Sequence, residues 1–119
     1  MSRRCLAGRL ILVVEDELLI ALHVHALRAA GGKVVSAGYL EAGLYMSDHP
    51  ALSAAVVDLH LGRGDGIAVC QRLRHLGVPF IVHTAYAANE VRERWPNVPV
   101  IHKPARVEQI VTALADLLN

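Results

Sequence analysis

The sequence predicts an α/β fold in which five strands are each followed by a helix. Two observations carry this. Short apolar runs recur along the chain, and the stretches between them change to helical apolar spacing. Continuous apolar strands point to a parallel sheet covered on both faces, because a half-exposed sheet would show alternation instead. A third observation sets the scale. The chain has 119 residues, 54% of them hydrophobic, which suits a single domain over 1–119 with a packed core.

The elements follow in order. Leu10–Val14 (LILVV) is a β-branched apolar run and reads as the first strand, after a basic segment, 1–8, expected to be a flexible tail. Residues 17–30 read as a helix that stops at Gly31-Gly32. Lys33–Ala37 (KVVSA) is the second strand, Leu40–Ser47 a short helix ended near Pro50, and Ala54–Val57 (AAVV) the third strand. Gly62, Gly64 and Gly66 mark a loop, read as a flexible turn. Ile67, Cys70, Leu73 and Leu76 then recur at helical spacing, with Gly77 as the stop. Residues 80–82 are the fourth strand. Residues 87–95 are a fourth helix, shortened by Pro96, and 98–101 the fifth strand. Val107, Ile110, Val111, Leu114, Leu117 and Leu118 give an amphipathic final helix.

Composition excludes several function classes. Twelve basic residues against eleven acidic leave no field to draw nucleic acid or a lipid surface. Aromatic residues are too scarce for base-stacking platforms. Cys5 and Cys70 stand far apart, which argues against a disulfide framework or a thiolate zinc site. No apolar run approaches the roughly 18 residues of a membrane span. The expectation is a soluble, cytoplasmic protein without membrane insertion.

Polar residues fall where the strands end. Strand one runs into Glu15-Asp16, strand three into Asp58, strand four into Thr84 and strand five into Lys103. In an open α/β sheet, ligands bind beyond the carboxyl ends of the strands, where the strand order reverses. In a flavodoxin-like (βα)5 three-layer sandwich of order 2-1-3-4-5, that point lies between strands one and three. Glu15, Asp16 and Asp58 straddle it. Three carboxylates in one crevice repel each other and call for a cation. Oxygen donors without thiolate suit Mg²⁺. With Lys103 as a mobile ammonium and Thr84 as a hydroxyl donor, these are the parts needed to place a phosphoryl group on an aspartate.

This set, Glu15-Asp16, Asp58, Thr84 and Lys103-Pro104, resembles the receiver domain of bacterial two-component response regulators from Leu10 to about Leu118. The resemblance implies that Asp58 accepts a phosphoryl group from a histidine kinase or histidine phosphotransfer protein. It implies Mg²⁺, or Mn²⁺ in its place, bound directly by Asp16 and Asp58, by Glu15 through water, and by the backbone carbonyl of His60. Thr84 and Lys103 would contact the phosphoryl oxygens, and the Lys103-Pro104 bond is often cis in this family. Phosphorylation would switch binding of a downstream protein, in a monomer or weak homodimer. Such a module is not a metabolic enzyme, since it catalyses only its own phosphorylation and dephosphorylation.

Three features depart from the family pattern. Val100 stands where most receivers carry a switch aromatic. The stretch from Thr84 to Lys103 is short. Ala105 follows Pro104 where an aromatic is common. An atypical, largely single-domain subgroup with a Phe-Ala-Thr-Gly-Tyr motif shares the first two. Val82-His83-Thr84-Ala85-Tyr86 matches it at threonine and tyrosine, which makes Tyr86 a candidate to replace the missing aromatic.

Plainer readings stand beside these. Asp58 alone reads as a turn residue, and Lys103 or Thr84 alone as ordinary surface and strand residues. His23 and His25 point different ways on a helix. His83 and His102 should face away from Thr84 and Lys103, which gives them structural or solvated roles. The His60 side chain should border the site entrance and modulate water attack there. Residues 90–94 read as a solvated charged face. Competing functions are a non-switching pseudo-receiver scaffold, a receiver module from a hybrid kinase, and an aspartate-nucleophile phosphohydrolase. The last expects a second Asp where His60 stands.

Overall fold

A computed structural model describes residues 4–61, 65–85 and 88–119. The elements alternate without exception: β1 (Leu10–Val14), α1 (Glu17–Ala29), β2 (Lys33–Ala37), α2 (Leu40–Ser47), β3 (Ala54–Val57), α3 (Gly66–His75), β4 (Phe80–Thr84), α4 (Asn89–Arg94), β5 (Val100–His102) and α5 (Val107–Leu118). The strands form one parallel sheet of order β2-β1-β3-β4-β5. This is the flavodoxin-like three-layer sandwich that the alternation predicts.

Strand alternation divides the core into two layers. Leu12, Val14, Ala55, Val57, Phe80 and Val82 face α2, α3 and α4. Ile11, Val13, Ala54, Val56 and Ile81 face α1 and α5, where they meet Leu27, Ile110 and Leu114. Each fully buried aliphatic side chain contributes about 1.5–3 kcal/mol. The central strands β1, β3 and β4 are therefore the stable frame from which the site is hung.

The glycine stops work by a specific geometry. At the end of α1, Gly31 takes φ 93°. Its N–H donates to the Arg28 carbonyl, and that of Gly32 to the Leu27 carbonyl. Gly77 closes α3 in the same way, at φ 73°, with Val78 N–H reaching Leu73. These paired bonds satisfy the last carbonyls of each helix, and only glycine adopts the left-handed turn without penalty.

The structure moves some boundaries. β4 runs two residues further than the apolar run suggests and takes in His83 and Thr84, both buried. β5 begins at Val100, and α4 occupies Asn89–Arg94. The expected tail does not extend to Leu6, which is fully buried in the α1/α5 layer. Its N–H donates to the Ala30 carbonyl at 3.0 Å, so Leu6, with Cys5 beside it, belongs to that layer. Among the described residues, no helix is long and apolar enough to cross a membrane.

Candidate functional site

The carboxyl ends of β1, β3, β4 and β5 meet at one edge of the sheet, and backbone bonds lock them there. The Asp58 N–H donates to Val14 at 2.8 Å, and the Lys103 N–H to Thr84 at 2.8 Å. The Lys103-Pro104 peptide is cis. Lys103 bridges the two buried carboxylates: its Nζ lies 2.6 Å from Glu15 Oε1 and 3.0 Å from Asp58 Oδ2. Asp58 is also held from the other side, where the His60 N–H donates to Oδ1 at 3.0 Å.

Asp65 and Gly66, where the chain enters α3, are closely fitted. Asp65 caps α3 by accepting from the Ile67 N–H at 2.8 Å. Gly66 follows, and a Cβ there would collide with the backbone carbonyl of Asp58. Glycine is required at this position by close approach to the Asp58 backbone. The reading of a merely flexible turn is corrected here for Gly66; Gly62, Arg63 and Gly64 lie outside the described residues.

Electrostatics sort the two carboxylates. Burial works against ionisation of Glu15, but hydrogen bonds to His83, Lys103 and Asp58 and the Lys103 charge reverse this and hold it at about 2. Asp58 moves the other way. Burial and the neighbouring Glu15 push it above the ordinary aspartate value, against the His60 N–H and Lys103. The two neighbouring carboxyls are thus shifted in opposite directions. Burial pulls on the Lys103 ammonium, but Glu15 and Asp58 outweigh it and raise its pKa.

The remaining expected residues distribute as follows. Asp16 is exposed beside this cluster, its N–H turned to Glu15 Oε1 at 3.2 Å. Thr84 is fully buried at the end of β4, paired in register with His102. The His60 side chain is exposed, and its backbone bridges Asp65. Pro104 is exposed. Val100 is half-buried against the α2–α4 layer. Tyr86, the candidate switch residue, lies outside the described residues.

His83 and His23 are where the sequence reading needs correction. Alternation does turn His83 away from the face used by Thr84, but that does not remove it from the site. It continues the row of Ile81, and its Nδ1 lies 3.0 Å from Glu15 Oε2. Glu15 is an acceptor only, so Nδ1 carries the proton and donates it. His23, on the buried stripe of α1 with Leu27, lies behind it. Its Nδ1 is 3.8 Å from the same oxygen, and the two imidazole rings are 5.2 Å apart. Burial lowers the pKa of His23. His25 is exposed, as the helical spacing predicts. The signal was present: His23 and His83 occupy apolar positions of α1 and β4, and Glu15 continues the Ile11, Val13 row just beyond β1.

No protein-family model matches the chain, and neither does any curated protein. Solved structures do. The receiver domain of a sensor histidine kinase from Pseudomonas aeruginosa, with magnesium coordinated in its active-site cleft, is 24% identical. The match covers 94% of this chain and 98% of that one, with a TM-score of 0.77. A CheY-like receiver domain from Methanospirillum hungatei is 21% identical over 94% of each chain, with a TM-score of 0.82. A response regulator from Burkholderia pseudomallei, with a phosphorylated aspartic acid, calcium and citrate, is 27% identical over 90% of this chain and 66% of that one, with a TM-score of 0.74. The fold is thus that of receiver domains of two-component signalling, whose members are signalling modules. No neighbour distinguishes the Phe-Ala-Thr-Gly-Tyr subgroup.

Proposed function

We propose that this chain is a two-component phosphorelay receiver that takes a phosphoryl group onto Asp58 and thereby switches its affinity for a partner protein. The observation that carries this reading is the Lys103 ammonium set between the buried carboxylates of Asp58 and Glu15, at 3.0 and 2.6 Å, in a receiver fold. A histidine kinase or histidine phosphotransfer protein is the donor, and the cytoplasm the compartment.

The donor set fits a hard divalent cation. Asp58 is pushed up by burial and by Glu15, the mark of a carboxylate group short of positive charge. Asp16, Asp58 and the His60 carbonyl would hold Mg²⁺ or Mn²⁺, with Glu15 acting through water. When bound, the ion supplies charge neutralisation for the transferred phosphoryl oxygens.

The chain's own groups perform the rest. The His60 N–H orients the Asp58 carboxylate, one oxygen of which attacks phosphorus as the phosphorus–nitrogen bond of the phosphohistidine breaks. The imidazole leaves with its electron pair. Lys103 then follows the new charge from the carboxylate to a phosphoryl oxygen, and the Thr84 hydroxyl donates to another. That movement at the ends of β4 and β5 biases the loops and the α4–β5 surface, the two-state element of the switch. With Val100 in place of an aromatic, Tyr86 is the proposed reporter of the Thr84 shift. An unchanged response in Tyr86→Ala would remove it from that role.

The test is acetyl phosphate or beryllofluoride with Mg²⁺, read by intact mass and by amide NMR. The wild type should gain one phosphoryl group and Asp58→Asn none. Identical behaviour of the two would sink the proposal. Val100 favours one second reading, a scaffold that keeps the fold without switching. Partner binding insensitive to both Mg²⁺ and Asp58→Asn would select it.

A further inference from the structure

Glu15 uses only one of its oxygens at the acceptor site. Oε1 takes Lys103 and the Asp16 N–H, while Oε2 looks back into the α1/α5 layer at His83 and His23. All three residues are buried, at 0%, 4% and 2% exposure for Glu15, His23 and His83. Two ring nitrogens there, His23 Nδ1 and His83 Nε2, have no hydrogen-bond partner, and the first of them is the one that faces Oε2. Buried polar atoms without partners are rare in folded proteins and need a reason.

We propose that Glu15, His23 and His83 form a second, buried cation site, suited to a transition-metal ion such as Zn²⁺ and separate from the Mg²⁺ site on the other side of the carboxylate. One ligand atom from each residue lies within 4.8 Å of the others, the sole such group of three among the described residues. A tetrahedral Zn²⁺ with bonds near 2.0–2.1 Å sets its ligand atoms about 3.4 Å apart. The two measured separations from Oε2, 3.0 and 3.8 Å, straddle that value.

Ligand chemistry selects the ion. Two imidazoles with one carboxylate suit Zn²⁺, Co²⁺, Ni²⁺ or Cu²⁺, whereas Mg²⁺ prefers oxygen ligands and retains several waters, which suits a solvent-facing site better than three buried side chains. Binding requires the Nδ1 proton of His83 to give way. In the neutral ring it moves to Nε2 through the tautomer exchange, with no net loss; from a charged ring one proton leaves to solvent. The ion then takes over the Oε2 contact that His83 now makes.

Metal-stripped protein titrated with Co²⁺ tests this. In excess Mg²⁺, which fills the oxygen-rich site, the expected result is the intense visible absorption of a low-coordinate Co²⁺ centre, abolished by equimolar Zn²⁺. His23→Ala and His83→Ala should each lose the band and weaken Zn²⁺ at least tenfold, since even loss of an outer partner of a ligand costs about 10–100-fold. His25→Ala, two residues along α1 and exposed, should leave both unchanged. So should Asp58→Asn, which separates this site from the phosphoacceptor reading. His83→Asn keeps an N–H toward Glu15 while removing the imidazole, and so covers the case in which His83→Ala fails to fold. Retention of the band in folded His23→Ala or His83→Asn, or its loss in His25→Ala, would overturn the proposal.

Discussion

The two oxygens of Glu15 face different kinds of protein. On the Oε1 side stand charged groups delivered by strand ends, Lys103 and Asp58, with exposed Asp16 beside them. On the Oε2 side stand imidazoles delivered by the pleat of β4 and the buried stripe of α1, sealed from solvent. A carboxylate offers about four lone-pair sites, so one side chain can serve both. The difference teaches where each chemistry comes from. Ends of strands supply mobile charge near water. Interior positions supply imidazole donors whose geometry the core dictates.

The largest expected effect comes from breaking the charged side. Lys103→Met leaves two buried carboxylates without their bridging cation. Removing one partner of a buried pair costs about 3–5 kcal/mol. Proton uptake by Asp58 relieves part of that, so urea unfolding at pH 7 in metal-free buffer should show a loss of about 3 kcal/mol. A loss below about 1 kcal/mol would mean that Lys103 is not what holds the pair, given the usual magnitude for exposed pairs.

Breaking the imidazole side should cost less and carry a different pH signature. His83→Leu keeps the volume of a buried apolar position but deprives Oε2 of its donor, worth about 1–3 kcal/mol. Glu15 has an ordinary value of 4.5 and sits at about 2 in the folded chain. Its contribution is therefore present above about pH 4.5 and disappears as pH falls toward 2. In His83→Leu the folded value rises, so the acid loss, which still begins near pH 4.5, should end at a higher pH and be smaller than in the wild type. Parallel acid profiles of the two proteins would show that His83 does not hold the Glu15 charge.

Asp58→Asn sharpens the comparison with the opposite sign. The Asp58 carboxyl is raised by burial and by Glu15. Such a group stabilises when protonated, below its ordinary value of 3.8, and that stabilisation is lost as pH rises through the raised value. Removing the charge should make the protein more stable at pH 7, by a margin that grows as pH rises from the ordinary value of 3.8 through the raised one and is constant above it. The same variant should lose phosphorylation. A variant less stable than the wild type at pH 8 would contradict this account of the crevice.

The legibility of the chain follows the same division. The five-fold alternation and the glycine stops were readable because each rests on local periodicity or a local turn, whereas the strand order came from likeness to the flavodoxin-like fold. Glu15, Asp58 and Lys103 were readable as a group because topology gathers strand ends whatever the register. The Glu15–His83 contact was not, because it depends on register across an intervening strand. Val13 pairs with Val56, and Val56 with Ile81. Advancing two residues sets Glu15, Asp58 and His83 in one row, a fact that no single segment contains. Gly66 was hidden for a related reason: the backbone it must not strike belongs to Asp58, eight residues earlier.

The smallest expected effect comes from an ion pair with neither buried environment. Arg72 binds Asp48 through both Nε and Nη2 at 2.9 Å, joining α3 to the end of α2. Its geometry is better than that of Lys103, since both carboxylate oxygens are engaged side by side. Both side chains, however, are about half exposed, at 45% and 50%. Water already solvates these charges, salt screens them, and ordering two long side chains costs entropy. Arg72→Ala should therefore cost at most about 1 kcal/mol, and less in 1 M NaCl than in 0.1 M. The Lys103→Met loss should change little over the same salt range. If Arg72→Ala proved the more damaging of the two, burial would not be what sets the strength of the charges around Glu15, and the contrast between its two oxygens would lose its physical basis.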